Sequence, residues 1–248
     1  MAERPLGTVL VTGGASGLGA ATARAVAAAG GRVLVLDRVA PPPEVAEAAA
    51  DVEVVDLADA RAAEAAVRAV ADRAGGLDAV FTPAGTDKSG TLAEVDGADW
   101  DRVVLVNLVG TAAVVRAALP YLTASHGTVV TCASTLGFRA LSDATAYCAS
   151  KFGVVGFTRA LAAELQGSVG VTMLVPGGMQ TAFFDDRDEK YKPPVGAKLN
   201  DPANVAEAVL FALRQPPGCE VRELVITPSV ESSWPRSFSC GRSGSATC

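Results

Sequence analysis

The sequence predicts an α/β protein whose doubly wound parallel sheet of about seven strands carries helices on both faces. Three observations predict it. Short β-branched runs alternate along the chain with long alanine-rich stretches. The runs are apolar almost throughout, as strands buried on both faces must be. A length of 248 residues, 50% of them hydrophobic, is enough for one domain to bury a sizeable core.

The first β-branched run, 8–12, leads into a helical stretch at 17–29, and the pattern repeats with a strand at 32–37. Pro41–Pro43 mark a turn before a short helix at 44–50 and a strand at 52–56. Alanine, the strongest helix former, dominates 60–74 and a strand at 78–82 follows. The remaining alternation predicts helix 98–122, strand 127–131, helix 144–165, strand 169–175, helix 202–214 and strand 221–227. No repeat or low-complexity linker divides the chain, so 1–236 is expected to be one domain. The Ser- and Gly-rich end, 237–248, is expected to be a disordered tail.

Composition excludes several function classes. A net charge of −6 with scattered basic residues argues against a nucleic-acid partner. The densest charged patch, Asp185 to Lys192, alternates in sign and reads as a solvated loop. No apolar run reaches the roughly 18 residues of a membrane span. The first residues lack the regions of a signal peptide, so a cytoplasmic protein is expected. Five cysteines (Cys132, Cys148, Cys219, Cys240, Cys248) have no CxxC spacing, which predicts neither a disulfide scaffold nor a zinc site. Cys132 and Cys148 lie in apolar segments and read as small core residues. The sole histidine, His126, lies in a Ser-His-Gly turn with no G-x-S-x-G elbow elsewhere, so a metal site or a serine-histidine triad is not expected.

Chemistry begins where the first strand meets the first helix. Residues 10–21, LVTGGASGLGAA, hold four glycines in the spacing Thr12-Gly13-x-x-x-Gly17-x-Gly19. Glycines there allow a sharp turn, close approach of a pyrophosphate and tight strand–helix packing, while the helix N-terminus offers N–H donors to an anion. The loop, with Ser16 and Leu18 inside it, predicts a dinucleotide site in a Rossmann-type fold. Asp37 closes the second strand, 18 residues after Gly19. A carboxylate there accepts hydrogen bonds from the ribose hydroxyls and repels a 2′-phosphate, which favours NAD over NADP. Arg38 follows it, placed to stack on adenine or meet a phosphate.

The segment SDATAYCASKFG places Tyr147 and Lys151 four apart, on one face of a helix. A free phenol, with a pKa near ~10, is a poor base at neutral pH, and a neighbouring ammonium favours the phenolate. Ser134 ends a strand at the carboxyl edge and can donate to a substrate oxygen. Asn107 is polar on an otherwise apolar helix, either satisfied by backbone or holding a water against Lys151.

In these motifs the sequence resembles the short-chain dehydrogenase/reductase (SDR) family, in its branch of single-domain enzymes, from about Gly7 to Pro228. The resemblance implies a catalytic tetrad of Asn107, Ser134, Tyr147 and Lys151, with Lys151 also gripping the nicotinamide ribose. It implies that Asp56 and Leu57 contact adenine, that Ala84 and Gly85 let the cofactor approach closely, and that Pro176, Gly177, Met179 and Thr181 surround the nicotinamide. Two positions depart from the family pattern. The usual Asn-Asn-Ala-Gly reads Thr82-Pro83-Ala84-Gly85, and the common Asp-Gly-Gly after the last strand reads ELVITPSVESSWP. The second departure puts the family's tetramer in question, while a homodimer through the helices bearing Asn107 and Tyr147 remains implied.

The expected function is NAD-dependent interconversion of a secondary alcohol and a ketone, with Tyr147 as general acid/base. An NADPH-dependent 3-ketoacyl-type ketoreductase and a non-catalytic nucleotide-sensing module are the alternatives. Substrate contacts are expected from Thr86, Asp87 and Lys88, from Leu136, Phe138 and Arg139, and from Met179, Phe183 and Phe184, under a lid at 181–200.

Overall fold

The computed structural model describes residues 4–216, 218–231, 233 and 234; the expected tail at 237–248 lies outside them. Among the described residues, seven strands form a single parallel sheet in the order β3-β2-β1-β4-β5-β6-β7. They are β1 (Thr8–Thr12), β2 (Arg32–Asp37), β3 (Ala49–Val54), β4 (Ala79–Thr82), β5 (Thr128–Cys132), β6 (Gly170–Pro176) and β7 (Glu223–Ile226). The helices are α1 (Gly17–Ala28), α2 (Pro43–Ala46), α3 (Ala60–Ala74), α4 (Gly97–Val104), α5 (Thr111–Ser125), α6 (Thr145–Glu164) and α7 (Pro202–Leu213).

Alternation along each strand divides the core into two layers. Val9, Val11, Val33, Val35 and Phe81 pack with α1 and α7 on one face. Leu10, Leu34, Leu36 and Val80 pack with α3, α5 and Leu161 of α6 on the other. Helix ends follow their local chemistry. Asp59 caps α3 by accepting the Arg61 and Ala62 N–H groups, and α3 stops at Gly75 in the left-handed region (φ 80°). His126 ends α5 in that same region (φ 49°), so the turn reading holds. Cys132 and Cys148 are buried core residues.

Three expectations need correction. The helix at 44–50 is a single turn, α2, and Ala49 and Ala50 belong to β3, where register pairing with β2 outweighs alanine's helix preference. The third strand therefore ends at Val54, and Asp56 lies in the loop beyond it. The charged patch at 185–192 is not wholly solvated, because the Arg187 side chain is only 18% exposed. The long helix Gly97–Ser125 does contain an 18-residue window of mean hydropathy 1.8, although Asn107, Thr111 and Arg116 interrupt its apolar run. More than half of that window (56%) is buried inside the fold, as suits a core helix.

That helix is interrupted around Asn107. Residues Leu105–Gly110 form a widened π turn between α4 and α5. The Thr111 hydroxyl donates to the Asn107 carbonyl at 2.8 Å, giving a partner to an acceptor in the disturbed ladder. Asn107 is buried at this bulge. Gly110 closes the turn against the Leu57 backbone: a Cβ there would lie 2.7 Å from the Leu57 carbonyl oxygen. Gly110→Ala is expected to destabilise the fold by about 1–3 kcal/mol, lowering the calorimetric unfolding midpoint by roughly 2–10 °C. An unchanged midpoint would mean that the π turn is not held in place by this contact.

Candidate active site

The glycine loop is built by exclusion of side chains. Gly13 has φ 62°, and a Cβ on it would come within 2.9 Å of the Ala84 Cα, so β1 and β4 approach here as only glycine allows. A Cβ on Gly19 would fall directly onto the Gly13 carbonyl oxygen. Ser16 precedes α1 without capping it through its side chain, and no acidic residue occupies the first turn. The α1 N-terminus is thus a bare, partly positive cradle that fits a pyrophosphate. Leu18 is buried in the core beneath it.

Asp37 anchors this loop from β2, its carboxylate accepting the Ala15 N–H at 2.8 Å and the Val39 N–H at 3.2 Å. Further lone pairs remain for ribose hydroxyls. Arg38 is exposed beside it. Asp56 pairs with Arg102 at 2.7 Å. Burial works to raise the Asp56 carboxyl, but the Ala58 N–H, Arg102 and the more distant Arg38 together hold it below its ordinary value. Leu57 is buried, and Thr181 packs against Gly17, which draws the segment after β6 to the phosphate cradle.

The four residues read as a catalytic tetrad converge at the carboxyl edge. Ser134 follows β5, accepts the Leu136 N–H at 3.1 Å and hydrogen-bonds Tyr147. The Lys151 ammonium lies 5.6 Å from the centre of the Tyr147 ring and donates to the Cys132 carbonyl at 2.9 Å. Burial pushes the Tyr147 phenol well above its ordinary range, with the Ser134 hydrogen bond and Arg187 pulling the other way and Asp87 adding to the rise. Burial likewise lowers Lys151 and raises the Cys132 thiol. Without further positive charge, Tyr147 is a phenol at neutral pH.

Asn107 holds the loop after β4. Its Oδ1 accepts the Thr86 N–H (2.8 Å), and its Nδ2 donates to the Thr86 carbonyl (2.9 Å) and to Ser150 Oγ (3.0 Å). Ser150 donates on to the Tyr147 carbonyl. One buried amide thereby ties the Ala84-Gly85-Thr86 backbone to the helix that carries Tyr147. The Ala84 N–H is held by Thr12 Oγ1 at 3.2 Å, while Thr82 Oγ1 is buried without a partner among the described residues. Gly85 faces both Asn107 and Lys151: a Cβ there would lie 3.3 Å from Oδ1 and 3.7 Å from Nζ.

Pro176 ends β6, and Gly177 and Gly178 turn beneath the C-terminal segment. Glu231 accepts the Gly178 N–H at 3.0 Å. Ser233 Oγ lies within hydrogen-bond distance of both Glu231 Oε1 (2.8 Å) and Thr135 Oγ1 (2.7 Å), so this segment braces the Gly177 turn and the Ser134 loop together. Met179 leans on the core and pairs with Asn200 through the backbone. Phe183 packs on Tyr147, with ring centres 5.7 Å apart. Phe138 packs edge-on against Trp234 at 5.7 Å, with the Arg159 guanidinium 5.3 Å from its centre.

Sequence reasoning did not find Arg102, Ser150, Glu231 or Ser233. The stretch containing Glu231 and Ser233 was visible only as a departure from the family pattern. Arg102 and Ser150 carry no local signal, because their roles exist only once distant elements meet.

Comparison with known proteins identifies the family and the fold. A family model for short chain dehydrogenases matches residues 7–192. An uncharacterized oxidoreductase of Staphylococcus aureus (strain MW2) is 33% identical over 228 residues, covering 88% of this chain and 96% of that protein. An uncharacterized oxidoreductase of Staphylococcus saprophyticus is 31% identical over 229 residues with the same coverage. Among solved structures, an alcohol dehydrogenase from the archaeon Thermococcus sibiricus complexed with 5-hydroxy-NADP superposes with a TM-score of 0.79 at 24% identity, covering 88% of this chain and 94% of that one. Ligand-free aldohexose dehydrogenase from Thermoplasma acidophilum gives 0.78 at 22% identity, covering 89% and 92%. At that identity the two structures support the fold alone.

Proposed function

The chain belongs to the short-chain dehydrogenase family and is an oxidoreductase, and from that premise we propose that it interconverts a secondary alcohol and a ketone with NAD as cofactor and Tyr147 as general acid/base. The observation that carries this reading is the convergence of Ser134, Tyr147 and Lys151 beside the glycine cradle. When bound, the nicotinamide supplies the hydride donor or acceptor. Gly13, Gly17 and Gly19 would hold the pyrophosphate, and Asp37 would hold the adenosine ribose. In reduction, Tyr147 gives its proton to the carbonyl oxygen as charge develops there; in oxidation it takes the hydroxyl proton. Ser134 donates to the same oxygen. Lys151 supplies positive charge beside Tyr147 and would bind the nicotinamide ribose.

Asp37 supports NAD over NADP because its carboxylate opposes a 2′-phosphate. Exposed Leu105, Val109 and Phe152, on the two helical segments that flank the site, support a homodimer through this face.

Turnover followed by nicotinamide absorbance, on a panel of secondary alcohols, polyols, hydroxy acids and ketones, is expected with NAD(H) and to fall about 10²–10⁴-fold in Tyr147→Phe. Undiminished turnover in that variant would refute the role of Tyr147, and equal use of NADP(H) would refute the cofactor preference. The raised phenol also sets a pH signature. Reduction uses the protonated form, which is fully populated at neutral pH. Oxidation uses the phenolate, whose fraction grows up to about tenfold per pH unit below the pKa. Between about pH 7 and pH 9, kcat/KM for oxidation is expected to climb while that for reduction stays level. A level oxidation profile would point to a different base. Light scattering is expected to give twice the 25.1 kDa chain mass; a monomer would rule out the shared helical face.

A further inference from the structure

Beyond the tetrad, two charged side chains approach Tyr147. Asp87 comes from the loop after β4 and Arg187 from the segment after β6, and their Oδ2 and Nη2 atoms are 2.6 Å apart. The Asp87 side chain is 4% exposed and that of Arg187 is 18% exposed. A buried pair of this kind is a poor stabiliser, because desolvation offsets much of its attraction.

The pair is also incompletely bonded. Asp87 accepts the Lys88 N–H (2.8 Å) and the Ser89 hydroxyl (3.1 Å) besides Arg187. A carboxylate offers about four acceptor positions, so one remains. Arg187 Nη1 donates to the Tyr191 carbonyl at 3.4 Å, and the guanidinium lies over Phe183 (5.2 Å) and Phe184 (4.6 Å). Its Nε–H is buried with no acceptor among the described residues. Nε shares one edge of the planar guanidinium with Nη2, so this orphan donor runs beside the nitrogen that holds Asp87. The same Phe183 packs on Tyr147.

The spare acceptor position is on Oδ1, since Oδ2 takes both Arg187 and Ser89. An ion pair that keeps one free donor and one free acceptor complements a hydroxyl group, which accepts from one and donates to the other. We propose that Asp87 and Arg187 form a specificity subsite for a second, neutral hydroxyl next to the reacting carbon, making vicinal diols and polyols the preferred alcohols. This inference rests on the reading of Tyr147 as acid/base for a secondary alcohol. A carboxylate substrate fits the subsite worse, since Asp87 already neutralises Arg187 and would repel the newcomer. A plain alkyl chain would leave the Nε–H unpaired. The acceptor half is fixed to the scaffold, because Asn107 clamps both backbone groups of the adjacent Thr86. The donor half rides on the segment whose Phe183 packs on Tyr147, so the subsite requires that segment to open for the substrate and to reseat on it.

The test compares kcat/KM for 2,3-butanediol against 2-butanol and for cyclohexane-1,2-diol against cyclohexanol, with 3-hydroxybutanoate as the anionic probe. The native protein is expected to favour each diol about 10- to 100-fold, the range for a hydrogen bond to a charged group. Arg187→Lys keeps the positive charge but removes the Nε–H, and Asp87→Asn removes the charged acceptor; each is expected to bring the diol ratio towards one. Equal native use of diol and mono-alcohol, preference for 3-hydroxybutanoate, or an unchanged ratio in both variants overturns the subsite. The native ratio decides the matter by itself should either variant fail to fold. Silence on both pairs with turnover elsewhere in the wider panel also overturns the subsite but leaves the dehydrogenase reading intact. Silence throughout the wider panel sinks both.

Discussion

An all-parallel sheet buried on both faces forces every carboxyl end onto one edge, and the rest of this molecule follows from that constraint. Successive connections run one way from β1 to β2 and β3 and the other way from β4 onward, so a crevice opens between the ends of β1 and β4. Gly13 and Ala84 meet there at a separation that no Cβ on Gly13 could tolerate. The cradle after β1, the clamped loop after β4, Ser134 after β5 and the Gly177 turn after β6 are thereby gathered along one edge. Local sequence chooses the chemistry at each end; topology alone brings the ends together.

Electrostatics at this edge is set by burial more than by pairing. Tyr147 and Lys151 are both driven towards their neutral forms by desolvation, and the contact of Lys151 with the Cys132 carbonyl does not reverse the trend. A simple picture of an ammonium converting its neighbour to a phenolate is therefore incomplete for the protein by itself. It suits an acid that keeps its proton until charge develops on a substrate oxygen nearby, and a base that needs positive charge assembled around it first.

Much of this was legible in the sequence because the signals are local. The alternation of β-branched and alanine-rich runs located all seven strands, and the Thr12–Gly19 spacing and the Tyr147/Lys151 interval are each written within one turn or one helix. The misreadings share a physical cause. Ala49 and Ala50 read as helix because intrinsic preference ignores the open edge of β2 that recruits them. Arg187 read as solvated because its alternating neighbours hide the fact that Asp87, a hundred positions earlier, lies buried beside it. Glu231 and Ser233 gain their meaning from Gly178 and Thr135, which only the closed sheet brings near.

The two readings of Asn107, a satisfied core amide and a participant in proton transfer, concern different lone pairs. Both Nδ2 hydrogens are committed, to the Thr86 carbonyl and Ser150, and Oδ1 already takes the Thr86 N–H. An amide oxygen has two lone pairs, so one acceptor position is left. Gly85 lies over the approach to both Oδ1 and Lys151 Nζ, and its missing side chain keeps the space between them clear. Any proton path that uses the Asn107 side chain to reach Lys151 would therefore run through the second lone pair of Oδ1, with the side chain accepting and never donating. The structural role consequently does not compete with the chemical one: by fixing both faces of Thr86, it fixes the direction in which that remaining lone pair can act.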